Sequence, residues 1–356
     1  MSSHLFFWTA AAWVAYAYVG YPALAALAAA LRPRPWRPRP EGAGGCADGP
    51  VSVVVAAHDE ASRIGARVEE LAAALAARPA GGELIVVSDG SGDGTEEVAA
   101  AAARKAEAAA WEAGARVVVK VIGLPMRCGK AAALNAGVWE ARRPIVVFAD
   151  ARQRWGPGAI DALTAPFDDP EVGAVSGDLV LESAPGVPAA VGLYWRYEKR
   201  LRRNESRSGT MVSVTGAISA VRRDLAPELP VGLILDDVYW PLEVIRGGLR
   251  VVHQESALAF DRLPARPRDE FRRKVRTLAG NFQLVMLAPW SLSPVRNPAW
   301  GRFVSHRLMR LAAPWALLTM LVASAASPDA SLRAAFWLQV VCYGLGLAGC
   351  LRPVAG

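Results

Sequence analysis

The sequence predicts an α/β domain built on a mostly parallel sheet flanked by helices, with transmembrane helices at both ends of the chain. Three observations predict it. From Val51 to about Leu263, short apolar runs alternate with alanine-rich amphipathic stretches, as strands alternate with crossover helices in a parallel sheet. Acidic residues recur directly after those runs, where open α/β sheets bind ligands beyond the carboxyl ends of their strands. The chain is 53% hydrophobic with mean hydropathy +0.21, yet it carries 40 Lys+Arg against 33 Asp+Glu, and apolar residues gather at its two ends. Within 356 residues that fits one large domain plus a few membrane spans better than two soluble domains.

Leu5 to Leu31 is almost wholly apolar and exceeds the roughly 20 residues that cross a bilayer, so residues 1–31 are expected to form a transmembrane helix. Met1 to His4 carries no Lys or Arg, which argues against a cleaved signal peptide. Residues 32–50 read as a Pro/Arg-rich linker. Its Arg32-Pro-Arg-Pro-Trp-Arg-Pro-Arg-Pro40 cannot continue a helix and sets four arginines at one membrane face, cytoplasmic by the positive-inside rule. The expected location is a bacterial inner (plasma) membrane, with the central domain in the cytoplasm.

That domain is expected over 51–265. Val51–Ala56 is its first strand, Ile64–Ala77 a helix, and Glu83–Ser88 a second strand running into the turn Asp89-Gly-Ser-Gly-Asp-Gly-Thr95; Val117–Gly123 and Ile145–Ala149 supply two more strands. Residues 266–305 read as an amphipathic interfacial segment, with the basic stretch Phe271–Met286 suited to anionic lipid. Leu308–Ala326 and Ala334–Leu351 are expected as a transmembrane hairpin over 306–356, the alternative being two buried helices of a soluble core. Cys46, Cys128, Cys342 and Cys350 lack metal-ligand spacing, which points to a reducing compartment without disulfides. Arginines crowd against the apolar segments, so membrane lipid and phosphate are the expected partners and nucleic acid is not; no partner subunit can be read from the sequence.

Five motifs stand in order along the domain: Val54-Val-Ala-Ala-His-Asp-Glu60, Val87-Ser-Asp-Gly-Ser-Gly-Asp-Gly-Thr95, Gly129-Lys-Ala-Ala-Ala-Leu-Asn-Ala-Gly137, Phe148-Ala-Asp-Ala-Arg152 and Leu235-Asp-Asp-Val238. In order and spacing they resemble the inverting family 2 glycosyltransferases, which include cellulose, chitin and hyaluronan synthases and many single-sugar transferases. The resemblance spans roughly Val51 to Gln283 and implies a GT-A-type fold.

It also implies roles. Asp89 would accept a hydrogen bond from a uracil-type N–H of the donor, with Asp59 and Glu60 as further donor-binding candidates. Lys130, in a Gly-Lys loop that opens a helix, would meet the donor diphosphate; the P-loop spacing is absent. Asp150 stands where the family places the first acid of an Asp-x-Asp motif holding Mg²⁺ or Mn²⁺, but the second acid is Arg152 here. Asp236 and Asp237 match an acidic pair whose second member is the general base, giving that role to Asp237. Trp195, Thr215 and Gly216 fall in the stretch that lines the acceptor side. Arg273 and Arg276 occupy the place of a diphosphate-contacting motif of processive synthases, with Thr277 replacing its tryptophan.

The expected activity is transfer of a sugar, from a UDP-sugar or a related nucleotide-sugar donor, to a hydroxyl of a lipid-linked or saccharide acceptor, in cell-envelope polysaccharide biosynthesis. A processive synthase of hyaluronan or chitin type and a catalytically inactive membrane scaffold of the same fold are the alternatives. A nicotinamide-dependent oxidoreductase is excluded, because Ala57-His-Asp-Glu60 rather than Gly-x-Gly-x-x-Gly follows the first strand.

Overall fold

The computed structural model describes residues 2–38, 45–182, 189–262 and 267–351. The domain boundary expected at 265, and Arg39 and Pro40 of the arginine–proline run, fall outside them. The chain begins with an apolar helix, α1 (Ser2–Leu31), which contains a π-helical turn at Tyr16–Gly20. After the linker come β1 (Val51–Ala57), α2 (Ala61–Ala76), β2 (Gly82–Asp89), α3 (Thr95–Glu112), β3 (Val117–Leu124), α4 (Lys130–Glu140) and β4 (Ile145–Asp150). These four strands lie side by side in the order β3-β2-β1-β4, all parallel, as expected from the alternating pattern.

The valine run of β1 is apolar throughout because both of its faces are covered. Val53 and Val55 join the core under α2 and α3, while Val54 joins the core under α4, as the two-residue period of a strand requires. At Gly137 of α4 a Cβ would lie 2.3 Å from Val54 Cγ1, so glycine lets that helix settle directly on β1.

The second half of the sheet was not named from the sequence. It comprises β5 (Arg154–Trp155), the helix α5 (Ala159–Thr164), β6 (Val172–Glu182), the long helix α6 (Ala189–Arg207), β7 (Ile218–Arg222), α7 (Asp236–Arg246) and β8 (Arg250–Arg262). The full order is β3-β2-β1-β4-β7-β6-β8-β5, with β7 antiparallel to both its neighbours.

Beyond β8, α8 (Pro267–Leu287) is followed by α9 (Trp300–Leu311), α10 (Ala313–Ala325) and α11 (Ala330–Leu351). The stretch expected as one span over Leu308–Ala326 is broken: α9 and α10 meet at 51°, with Pro314 in the first turn of α10. By length and composition, α1 and the Ala330–Gly349 part of α11 could each cross a membrane, and α9 with α10 only as a bent pair. Leu5, Trp8, Leu27, Trp315, Trp337 and Leu345 on these helices are exposed.

The terminal helices are fastened to the domain through α6. Tyr21 and Ala25 pack on Leu201, and the Tyr21 hydroxyl donates to Glu205. His306 bridges the same face, with Nδ1 2.9 Å from Glu205 Oε1 and Nε2 3.3 Å from Glu198 Oε2; Arg310 pairs with Glu198, and Arg302 donates to the carbonyl oxygens of Glu205 and Thr210.

Candidate active site

The loops after β1 and β2 lock into each other. Asp59 takes a left-handed conformation (φ 53°); its carboxylate accepts the Gly92 N–H at 3.0 Å and its own N–H donates to Ser91 Oγ. The Glu60 N–H donates to Thr95 Oγ1, the Ala61 N–H to Asp93, and the Glu60 carboxylate pairs with Arg63. His58 Nδ1 lies 2.7 Å from the Asp89 carbonyl oxygen. Asp59 and Asp93 thus shape the turn, while His58 and Glu60 face the cleft.

Asp89 acts through a neighbouring loop. It is 4% exposed, and its two oxygens accept the N–H groups of Cys128 (2.6 Å) and Gly129 (2.8 Å). The contact needs glycine next door: Gly90 has φ +59°, and a Cβ there would lie 2.3 Å from the Met126 carbonyl carbon. The carboxylate expected to meet the donor base is thereby engaged inside the fold, where it sets the start of α4.

That start carries Lys130. Its ammonium lies 3.0 Å from Asp150 Oδ1, at the end of β4, and 3.4 Å from Asp236 Oδ2, at the start of α7. Burial would lower its pKa, but Asp150 and then Asp236 outweigh that and raise it, so it is a fixed positive charge. Asp237 follows, its carbonyl accepting the Val214 N–H at 2.9 Å. Among the described residues no hydrogen bond or ion pair reaches its carboxylate, whose pKa is raised by burial first and by Asp236 second.

The opposite wall comes from α8. Arg273, Arg276, Gly280 and Gln283 recur on one helical face. Gly280 sits against Ile234 and Leu235, and the Gln283 amide bonds the backbone of Ile234 and Gly232, each at 2.9 Å. This clamp brings Arg273, Arg276 and Thr277 to the rim of the same cleft. Within the stretch expected to be interfacial, Arg273, Arg276 and Thr277 thus line the cleft.

The cleft has a volume of about 430 Å³ and gathers Glu60, Lys130, Asp150, Thr215, Gly216, Asp236, Asp237, Arg273 and Arg276. Asp59, Asp89 and Trp195 do not line it. Trp195 instead donates its indole N–H to the Leu179 carbonyl, 3.0 Å away, and Leu179 is a lining residue. Gly216 leaves room beside the central ion pair, since a Cβ would stand 3.4 Å from Lys130 Nζ and 3.8 Å from Asp150 Oδ2. Arg152, standing where a second acid was sought, is held by the buried Asp261 at 2.7 Å, which also accepts from Gln153. Asp261 was missed in the sequence because it closes a strand interrupted by Gln254 and Glu255; His58 was visible only as one more polar residue after β1.

Among the described residues no group of three His, Cys, Asp or Glu side chains is placed to hold a metal. A single carboxylate at Asp150 suits a different mode, in which Mg²⁺ or Mn²⁺ is bound by one or two carboxylates, water and the phosphates of a ligand.

The sequence profile of Glycosyltransferase like family 2 matches residues 48–280. Among solved structures, the mannosyltransferase PcManGT from Pyrobaculum calidifontis, in complex with GDP-Man and Mn²⁺, is similar along nearly the whole length: 24% identity, 96% of this chain and 92% of that chain covered, TM-score 0.70. Glucosyl-3-phosphoglycerate synthase from Mycobacterium tuberculosis, in complex with Mg²⁺ and uridine diphosphate, is 23% identical over 66% of this chain and 80% of its own, with TM-score 0.44. No curated protein matches the sequence. The likeness to PcManGT shows that the fold, terminal helices included, is one that occurs in nature.

Proposed function

This chain belongs to glycosyltransferase like family 2 and is a glycosyltransferase, and from that premise we propose that it is a membrane-bound inverting enzyme that moves a sugar from a nucleoside diphosphate to a hydroxyl of a lipid-linked or saccharide acceptor. One observation carries the reading. A single cleft brings a fixed ammonium at Lys130, the arginines Arg273 and Arg276, and an unpartnered carboxylate at Asp237 together from three separate segments.

The division of labour follows from the charges. Lys130, Arg273 and Arg276 receive the donor diphosphate and stabilise the charge that grows on it as the anomeric C–O bond breaks. Asp237 takes the proton of the acceptor hydroxyl as its oxygen bonds to the anomeric carbon from the opposite face, and the nucleoside diphosphate departs. A carboxylate whose pKa burial and Asp236 raise is the better base for that proton. Asp150 would hold a divalent cation, Mg²⁺ or Mn²⁺, which supplies Lewis-acid neutralisation of the diphosphate. Asp59 and Asp89 support the donor side by shaping the turn and the Lys130 loop.

Membrane attachment is supported by α1 and α11, whose exposed apolar faces need a lipid-like surrounding. Arg32, Arg34 and Arg37 follow α1 and set the domain on the cytoplasmic side. Thr277 at the cleft rim, in place of a tryptophan, favours single addition over processive synthesis.

The test is nucleoside diphosphate release from a panel of UDP- and GDP-sugars by the detergent-purified protein, with and without Mn²⁺ or Mg²⁺, beside Asp237→Asn. Turnover of one donor that vanishes in the variant is expected. Turnover that survives in Asp237→Asn would remove Asp237 from the role of base.

A further inference from the structure

Two residues outside every motif hold the loop that carries Asp150. Asp150 closes β4 and Trp155 stands in β5, and between them Ala151, Arg152 and Gln153 line the cleft. Arg67 belongs to the buried face of α2, with Ile64, Val68 and Leu71, and is 3% exposed. Its Nε–H donates to the Asp150 carbonyl oxygen at 3.2 Å, and its Nη1 lies 2.9 Å from Glu70 Oε1, one turn along the same helix. That glutamate oxygen accepts the Trp155 backbone N–H at 2.7 Å, while the Arg67 guanidinium covers the Trp155 ring, 4.8 Å from its centre. One ion pair on α2 therefore grips both ends of the loop. Trp155 extends the grip: its indole N–H donates at 3.0 Å to the carbonyl oxygen of Ala217, the residue after Gly216.

For packing alone this arrangement is costly. Burial lowers the pKa of the Arg67 guanidinium, and Glu70 is the first group to oppose it. An apolar side chain beside Ile64, Val68 and Leu71 would avoid that desolvation. What the charge supplies instead is direction. The Asp150 carbonyl is tied to Arg67 and its carboxylate to Lys130, so the residue is fixed through both its main chain and its side chain. With Arg152 where a second acid was sought, the end of β4 offers the site a single carboxylate, and where that carboxylate points decides how a cation meets the diphosphate.

We propose that Arg67 and Glu70 are positioning residues for Asp150, setting the affinity with which the site takes a divalent cation together with a nucleoside diphosphate. This rests on the reading of Asp150 given above and adds the pair that acts through it. Neither Arg67 nor Glu70 lines the cleft; both act through the backbone of the loop, at Asp150 and at Trp155.

The test is Mn²⁺ binding to the full chain in detergent, read by electron paramagnetic resonance of the free ion, with UDP or GDP present according to which the unaltered protein binds. Binding of the same nucleotide without metal is measured beside it. Arg67→Met removes the charge and the bond to Asp150, and should weaken Mn²⁺ about 10–100-fold while metal-free nucleotide binding is unchanged. Arg67→Lys should regain part of that affinity, since one ammonium cannot serve Glu70 and the Asp150 carbonyl as the guanidinium fork does. Glu70→Gln keeps an acceptor for the Trp155 N–H and should weaken Mn²⁺ less than Arg67→Met. Equal loss of metal-free and Mn²⁺-dependent nucleotide binding would reduce the pair to general support of the fold and overturn the proposal, as would an unchanged Mn²⁺ affinity in Arg67→Met. Should Arg67→Met not fold, undiminished Mn²⁺ affinity in both Arg67→Lys and Glu70→Gln would overturn it as well. Nucleotide binding that Mn²⁺ does not strengthen in the unaltered protein would also overturn it, by removing the cation from Asp150. Absence of nucleotide binding in the unaltered protein would instead sink the transferase reading.

Discussion

Asp89→Asn separates two ways in which a buried acid can serve a donor site. Both oxygens of Asp89 accept backbone N–H groups of the loop before α4, at 2.6 and 2.8 Å. A hydrogen bond to a charged group contributes about 1.5–3 kcal/mol and a neutral one about 1 kcal/mol. Asparagine keeps one neutral acceptor and turns its NH₂ toward the second N–H, so the loss is about 2–5 kcal/mol. In a domain of this size that lowers Tm by about 10 °C. The released loop no longer holds Lys130 between Asp150 and Asp236, so inorganic pyrophosphate and nucleoside diphosphate should weaken together. The assay is thermal unfolding of the ligand-free protein in detergent, followed by binding titrations with both ligands. An unchanged Tm, with weakening confined to the nucleoside diphosphate, would refute the anchoring role and return Asp89 to direct contact with the base.

Other substitutions probe the remaining walls. Asp237→Asn should cut transfer by about 10²–10⁴-fold yet raise Tm at neutral pH, because a carboxylate whose folded pKa lies above its unfolded value binds more protons when folded and lowers stability once ionised; a lower Tm would contradict the burial argument. For the same reason stability should increase as pH falls through the folded pKa of Asp237, while kcat/KM declines over that range, at a pH above the value of about 3.9 of a free aspartate; a profile flat down to that value would exclude Asp237 as base. Gly216→Val should raise the donor KM about tenfold or more without a change in Tm, since its side chain would project beside Lys130 and Asp150; an unchanged KM would mean the donor passes elsewhere. Arg152→Ala leaves the buried Asp261 with Gln153 as its remaining partner and should destabilise the fold by about 1–3 kcal/mol, measured by urea unfolding; no loss would show that the pair is not structural.

The parallel half of the sheet was legible because its strands are buried on both faces and read as unbroken valine-rich runs, while Lys130, Asp150 and the Asp236-Asp237 pair stand at strand or helix ends that such runs mark out. The other half was hidden for a physical reason. β6 and β8 pair with register shifts between Val172 and Ala174 and between Ser176 and Asp178, and β8 carries His253, Gln254 and Glu255, so no clean alternation survives. Periodicity likewise showed that Phe271–Met286 is amphipathic, but not that Gly280 and Gln283 would clamp it over the cleft.

The shared grip of Tyr21 and His306 on Glu205 has a practical consequence. A chain shortened to begin at Arg32 would not liberate a ready-made catalytic unit. It would strip Leu201 of its apolar cover and deprive a buried glutamate of one donor. The first helix is thus a piece of the domain's own interior that happens to be greasy on its other side, and removing it to gain solubility would change the object under study.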